Sequence, residues 1–122
     1  GEVLYTQEFY ADCRSCLSPG GIIITQNGVP FVQESELRAS YDRLGSLFKD
    51  VSFYLAAIPS YVGGVMAYGW ATDEVEHRKV SLSRLAERYI EAELVTDYYT
   101  PEVHLAAFAL PFHIQKMLTR ED

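Results

Sequence analysis

The stretch VSFYLAAIPSYVGGVMAYGWAT, residues 51–72, decides the fold of this chain. Residues 51–58 and 65–72 are rich in Val, Ile, Tyr, Phe and Trp, the composition of β-strands. The six residues between them begin with a proline, which keeps the preceding Ile58 extended. Because no helix fits into so short a connection, the two strands are predicted to run antiparallel.

A second β-branched run lies upstream of this pair. Residues 22–24 are three consecutive isoleucines, and the run ends near Gln26, a pattern typical of a buried strand in a parallel sheet. A helix is predicted over residues 35–48, and its apolar stripe consists of Leu37, Tyr41, Leu44 and Phe48. Because a helix separates this strand from residues 51–58, the two are predicted to be parallel, with a right-handed crossover.

The remaining predicted elements are helical. Thr6 can cap a first helix that the PGG of residues 19–21 ends, and Thr100 followed by proline and an acid marks another helix start. Residues 82–90 carry a further apolar stripe, and Pro111 opens a last short helix. The alternation predicts an α/β domain, but three strands are fewer than a doubly wound sheet normally has.

Composition excludes several classes of function. The chain has 122 residues, 48% of them hydrophobic, and a net charge of −7. It lacks the basic surface of a nucleic-acid binder and any apolar run near the roughly 18 to 20 residues that span a membrane. The first ten residues carry no basic cluster typical of a signal peptide, so we expect a cytoplasmic protein.

Cysteines and histidines give no metal-binding pattern. Cys13 and Cys16 form a C-x-x-C, which could be a redox pair or half a zinc site, but there is no second pair. We predict two buried structural thiols on the apolar stripe of the first helix, in a reducing compartment. His77 and His113 are expected at the surface and His104 as a structural hydrogen bonder, so no metal ligand is assigned.

Four sequence blocks resemble the spermidine synthases, in particular the bacterial ones. LYTQEFY (4–10) is similar to their L-[FY]-x-x-x-[FY]-[FY], and residues 17–28 resemble an L-x-P-G-G strand that ends in a glutamine. AIPSYVGG (57–64) resembles their I-P-[TS]-Y-x-x-G loop. YYTPEVHLAAFALP (98–111) matches Y-Y-[NT]-x-x-x-H-x-A-A-F-x-L-P. Together the blocks cover nearly all of the chain.

The resemblance implies a partial Rossmann-like domain of the S-adenosylmethionine methyltransferase type, with two parallel strands and one antiparallel strand. Residues 1–122 would be the C-terminal portion of an aminopropyltransferase catalytic domain. The implied reaction transfers an aminopropyl group from decarboxylated S-adenosylmethionine, a co-substrate, to putrescine, giving spermidine and 5′-methylthioadenosine. The resemblance implies no metal and no resident cofactor, and a homo-oligomer.

The catalytic part of the family's pattern does not occur in this sequence. The D-x-x-D-P segment with the catalytic aspartate, the glycine-rich nucleoside-binding turn and the N-terminal β-domain are all missing. We therefore assign no catalytic residue, and we expect this chain alone to be inactive.

The resemblance assigns three binding residues. Gln26 and Tyr61 match residues that bind the polyamine, and Leu4 matches a residue near the nucleoside. Gln26 and Tyr61 follow the ends of two predicted parallel strands, the rim where α/β sheets bind ligands. A glutamine carbonyl accepts from an ammonium, and a tyrosine offers an aromatic wall for methylenes and a hydroxyl for the polar end.

Two other functions remain open. One is a methyltransferase-fold enzyme with a different substrate, although such an enzyme has no evident need for the I-P-S-Y of residues 58–61. The other is a non-catalytic interaction module derived from a synthase. A D-x-x-D-P segment upstream of Gly1 in the native gene would favour the synthase.

Overall fold

The computed structural model describes residues 6–30, 33–58, 60 and 65–119. In this part of the chain the strands are β1 (Ile22–Gln26), β2 (Asp50–Ala57) and β3 (Val65–Thr72). The α-helices are α1 (Gln7–Cys16), α2 (Glu34–Gly45), α3 (Leu82–Glu91), α4 (Pro101–Ala107) and α5 (Phe112–Thr119), and a 3₁₀ helix spans Val75–Lys79. None of these helices is long and apolar enough to cross a membrane.

The three strands form one sheet in the order β1-β3-β2. The short connection makes β2 and β3 antiparallel, as predicted. β3 also pairs antiparallel with β1, with Ile24 opposite Trp70. β1 and β2, which were predicted to be parallel, both run opposite to β3 and do not pair with each other, because β3 lies between them; a parallel pairing is not confirmed.

The sheet has one helix-packed face and one open face. The helix-packed face carries Phe53, Ala67 and Ala71, which are fully buried against α1, α2 and α5. The helix residues in these two core clusters are Tyr10, Leu37, Leu44, Ile114 and Met117. The open face carries alternate residues of each strand, and α4 with the turn after it covers part of that face.

The predicted helix starts are confirmed by their capping bonds. The side chain of Thr6 accepts a hydrogen bond from the Phe9 N–H at 3.1 Å, and Thr100 accepts one from Val103 at 3.0 Å. Pro101 occupies the first turn of α4, where its missing N–H costs no hydrogen bond. These starts could be predicted because each depends on four consecutive residues.

Two expectations about burial were wrong. Ile22 and Ile24 are 38% and 46% exposed, because β1 lies at the edge of the described sheet and both side chains are on its open face. Cys13 is half-buried and Cys16 is exposed at the C-terminal end of α1, so the two thiols are not both core residues.

Candidate functional site

Gln26 is the last residue of β1 and lies on the open face with its side chain exposed. The register places Tyr68 of β3 directly opposite Gln26, and Tyr54 of β2 directly opposite Tyr68. Directly opposite residues of an antiparallel pair project to the same side of the sheet. Gln26, Tyr68 and Tyr54 therefore form one row across the three strands, called the Gln26 row below.

A buried polar network fixes the end of β1 on the other face. Thr25 donates a hydrogen bond from its hydroxyl to Asn27 Oδ1, and Asn27 Nδ2 donates to Ser40 Oγ of α2 at 2.6 Å. Ser40 is also 3.3 Å from the hydroxyl of Tyr10 in α1. All four side chains are at least nine-tenths buried, so they would be costly to leave unpaired. The network anchors the backbone on both sides of Gln26.

Gly69 makes room for this network. A Cβ at Gly69 would lie 2.6 Å from Asn27 Oδ1 and closer still to Thr25 Oγ1. A side chain at this position in β3 would therefore displace both hydrogen-bonded side chains. The backbone beyond Gln26 stays paired as well, with Asn27 N donating to Ala67 O at 2.9 Å and Ala67 N donating to Gly28 O at 2.8 Å.

The connection that contains Tyr61 begins and ends at the same end of the sheet as Gln26. β2 continues three residues past the row to Ala57, and β3 starts opposite it at Val65, so this hairpin projects about 10 Å beyond the row. Tyr61 itself and Leu4 lie outside the described residues. The structure thus brings Gln26 and the flanks of the Tyr61 loop to one rim, and the roles of Tyr61 and Leu4 stay predictions.

The Gln26 row continues into a series of aromatic contacts. The rings of Tyr54 and Tyr68 stack with centroids 5.2 Å apart and planes 17° apart. Phe108, at the C-cap of α4, packs on Tyr54 at 5.5 Å and edge-on against Trp70 at 5.3 Å. Burial raises the pKa of Tyr54, and the neighbouring Tyr68 adds to this effect. The Tyr54 phenol is therefore suited to act as a neutral group.

A cavity of about 390 Å³ lies next to the row, between the open face and α4. Its lining includes Ile24, Tyr54, Trp70, Tyr99, His104 and Phe108. The Tyr99 hydroxyl is 2.8 Å from His104 Nδ1, and burial lowers the pKa of this histidine. This hydrogen bond between Tyr99 and His104 Nδ1 confirms His104 as a structural hydrogen bonder.

The carboxylate of Asp50, at the start of β2, is already engaged. Asp50 accepts two hydrogen bonds from Arg78, at 2.8 Å and 2.5 Å, and the guanidinium also lies over the ring of Phe108. The bond to Arg78 lowers the pKa of Asp50, and so does the approach of the Trp70 indole N–H, which is buried and makes no hydrogen bond within the described residues. Asp50 is about 13 Å along β2 from Tyr54 and bound to a cation, so it is unsuited to act as a base at the Gln26 row.

Tyr54 and Tyr68, the aromatic residues of the Gln26 row, were not predicted from the sequence as site residues. Tyr54 and Tyr68 looked like ordinary strand residues, because their shared face with Gln26 depends on the register of β1 against β3. The available signal was the alternation of Tyr68 and Trp70 in residues 65–72, but only the strand order connects it to Gln26. Within the described residues, no three His, Cys, Asp or Glu side chains form a cluster that could hold a metal ion.

Comparisons with known proteins agree on one family. The sequence profile of the spermine/spermidine synthase domain matches residues 1–81. A protein of Enterobacter sp. (strain 638) named polyamine aminopropyltransferase is 47% identical over 122 residues, and one of Ruegeria sp. (strain TM1040) with the same name is 50% identical over 117 residues.

The fold is also that of solved spermidine synthases. The crystal structure of spermidine synthase from Thermotoga maritima superposes with a TM-score of 0.86 at 26% identity and covers 99% of this chain. A spermidine synthase in complex with the transition-state analogue AdoDATO gives a TM-score of 0.87 at 27% identity. The chain spans about 40% of the length of each of these structures and 41–42% of the two named relatives.

Proposed function

Because the chain belongs to the spermine/spermidine synthase family, we propose that it supplies the amine side of an aminopropyltransferase active site. The proposed reaction joins an aminopropyl group from decarboxylated S-adenosylmethionine to putrescine, giving spermidine and 5′-methylthioadenosine. Decarboxylated S-adenosylmethionine serves as a co-substrate, with no metal or resident cofactor. We further propose that the complete gene product that contains this chain acts in the cytoplasm as a homo-oligomer.

The observation that carries this proposal is the position of Gln26. Its side chain is exposed at the end of β1, and the buried network of Thr25 and Asn27 fixes the backbone on either side. The connection that contains Tyr61 starts and ends at the same rim. A carbonyl oxygen held at such a rim can accept a hydrogen bond from an amine nitrogen and so orient the substrate chain.

The chemistry explains why orientation is valuable here. The neutral amine nitrogen attacks the methylene carbon bonded to the sulfonium sulfur, so that a C–N bond forms as the C–S bond breaks. The bonding electrons go to sulfur, which leaves as a neutral thioether, and the new ammonium releases a proton to a base. Gln26 and Tyr61 hold the amine in line for this attack, and neither is assigned as the base.

Kinetics of the complete gene product that contains this chain test the proposal. We expect spermidine formation, and in the variants Gln26→Ala and Tyr61→Ala we expect kcat/KM for putrescine to fall about 5- to 150-fold, the effect of losing one buried hydrogen bond. The KM for decarboxylated S-adenosylmethionine should stay nearly constant. Gln115→Ala is the matched control, because Gln115 is an exposed glutamine of α5 that donates to Leu110 O.

Two results would contradict the proposal at different levels. A complete gene product that forms no spermidine would remove the activity. Unchanged kcat/KM for putrescine in both variants would remove the site assignment and leave the activity standing. We also propose that residues 1–122 alone are inactive, and spermidine formed by the isolated chain above the buffer blank would disprove this.

A further inference from the structure

We propose that Tyr68 and Tyr54 form an aromatic wall of the amine site, which binds the methylene chain and the distal ammonium of the acceptor beside Gln26. This inference rests on the proposed function and adds two binding residues to it. It also gives a role to the C-terminal block of residues 98–111, which the proposed reaction does not use.

The geometry of the row is the first support. Tyr68 is the cross-strand partner of Gln26, and residues in this relation have Cβ atoms about 5 Å apart on the same face. The stacked ring of Tyr54 extends the surface by one more strand, with centroids 5.2 Å apart. Both tyrosines are half-buried, so each keeps part of its ring accessible from the open face.

The chemistry of the acceptor is the second support. A diamine that reacts at one end carries a protonated ammonium at the other, joined by apolar methylenes. An aromatic face attracts an ammonium through its quadrupole and packs against methylenes at the same time. Gln26 offers the carbonyl that such a chain also needs for its N–H groups. The row therefore matches an alkyl diammonium in both its apolar and its charged parts.

The contacts behind the wall are the third support. Phe108 packs on Tyr54 with ring centroids 5.5 Å apart and braces it from α4. The raised pKa of Tyr54 fits a phenol that stays neutral and does not form an ion pair with the ammonium. Phe108 is on this argument a positioning residue, because it acts through Tyr54 and not on the substrate.

Variants of the complete gene product test the wall. Tyr68→Leu removes the ring, and we expect the KM for putrescine to rise about 2- to 30-fold, with the KM for decarboxylated S-adenosylmethionine changed less than about twofold. Tyr68→Phe keeps the ring and should restore a nearly normal KM for putrescine. Tyr41→Leu is the matched control, because Tyr41 packs its ring against Phe53 on the helix-packed face, with centroids 6.1 Å apart.

A second measurement needs no substitution. In the wild-type protein with putrescine bound, nuclear Overhauser effects should connect the putrescine methylene protons to ring protons of Tyr68 and Tyr54. The absence of these nuclear Overhauser effects would overturn the proposed aromatic wall. A Tyr68→Leu variant that behaves like Tyr41→Leu, with a lower Tm and an unchanged KM for putrescine, would overturn it as well. That second result would show that the pair is covered by another part of the protein. A wild-type protein that forms no spermidine would instead overturn the proposed function, and the inference with it.

Discussion

Replacing Gly69 by alanine tests whether the buried network really fixes the end of β1. The added methyl would lie 2.6 Å from Asn27 Oδ1 and closer to Thr25 Oγ1, and both of these atoms are buried and hydrogen-bonded. A contact this short cannot be tolerated, so one or both side chains must move. We expect Gly69→Ala to unfold more easily for this reason.

The magnitude follows from what the two displaced side chains lose. A buried polar group left without its partner costs about 1–3 kcal/mol, and forcing an extra methyl into a packed site costs about the same. Alanine also restricts the unfolded chain, which returns about 0.4–1 kcal/mol. The expected net loss is about 2–4 kcal/mol in the free energy of unfolding.

Urea denaturation followed by circular dichroism measures this loss. Gly45→Ala is the matched control, because a Cβ at Gly45, at the end of α2, meets no atom within 4 Å and should leave stability unchanged or raise it by up to about 1 kcal/mol. In a Thr25→Ala background the cost of Gly69→Ala should shrink, because one of the two clashing atoms is gone. Equal midpoints for Gly69→Ala and wild type would refute the reasoning.

Two further predictions concern the charged and titratable groups around the cavity. Asp50→Asn should lower the free energy of unfolding by about 1–3 kcal/mol at pH 7, because it removes a two-point charge-assisted pairing with Arg78. The folded pKa of Asp50 is depressed, so the stability that the Asp50–Arg78 pairing contributes is present above the ordinary pKa of 3.8 and is lost as pH falls through the folded pKa. A variant that loses as much stability on acidification as the wild type does would contradict this prediction. For His104 the lowered pKa means that stability is complete above its ordinary pKa of 6.5 and declines as pH falls from there, because burial penalises the protonated imidazole and protonation therefore favours the unfolded chain. His104→Asn should flatten the curve of Tm against pH below 6.5, and a variant curve as steep as that of the wild type would contradict this.

Local features of the fold could be predicted from sequence, and features that depend on strand order could not. The caps at Thr6 and Thr100 and the β2–β3 hairpin each depend on short stretches, and the structure confirms them. The place of β3 between the other two strands depends on long-range pairing, which no local pattern encodes. The three isoleucines therefore indicated a buried strand, although the structure places β1 at the edge of the described sheet.

In the candidate site, too, one residue could be predicted from the local sequence and others could not. Gln26 could be predicted as a strand-end residue, because the β-branched run before it and the turn after it are both visible in the sequence. Tyr54 and Tyr68 could not be grouped with it, since a shift of one residue in register would move either side chain to the opposite face. The roles of Tyr61 and Leu4 rest on the resemblance alone.

The insertion of β3 between its two neighbours also sets the order in which this chain can be assembled during synthesis. Ile24 leaves the ribosome well before Trp70, its cross-strand partner, and within the described part of the chain β3 is the strand that pairs with β1. At about 5–20 residues per second, the edge of β1 that faces β3 therefore waits for seconds without its partner strand. Contacts between residues distant in the chain form slowly, because loop closure must precede them. A nascent chain stalled before residue 65 would accordingly lack the strand that pairs with β1, and an unpaired strand edge in an incomplete chain is prone to aggregate, which chaperones prevent.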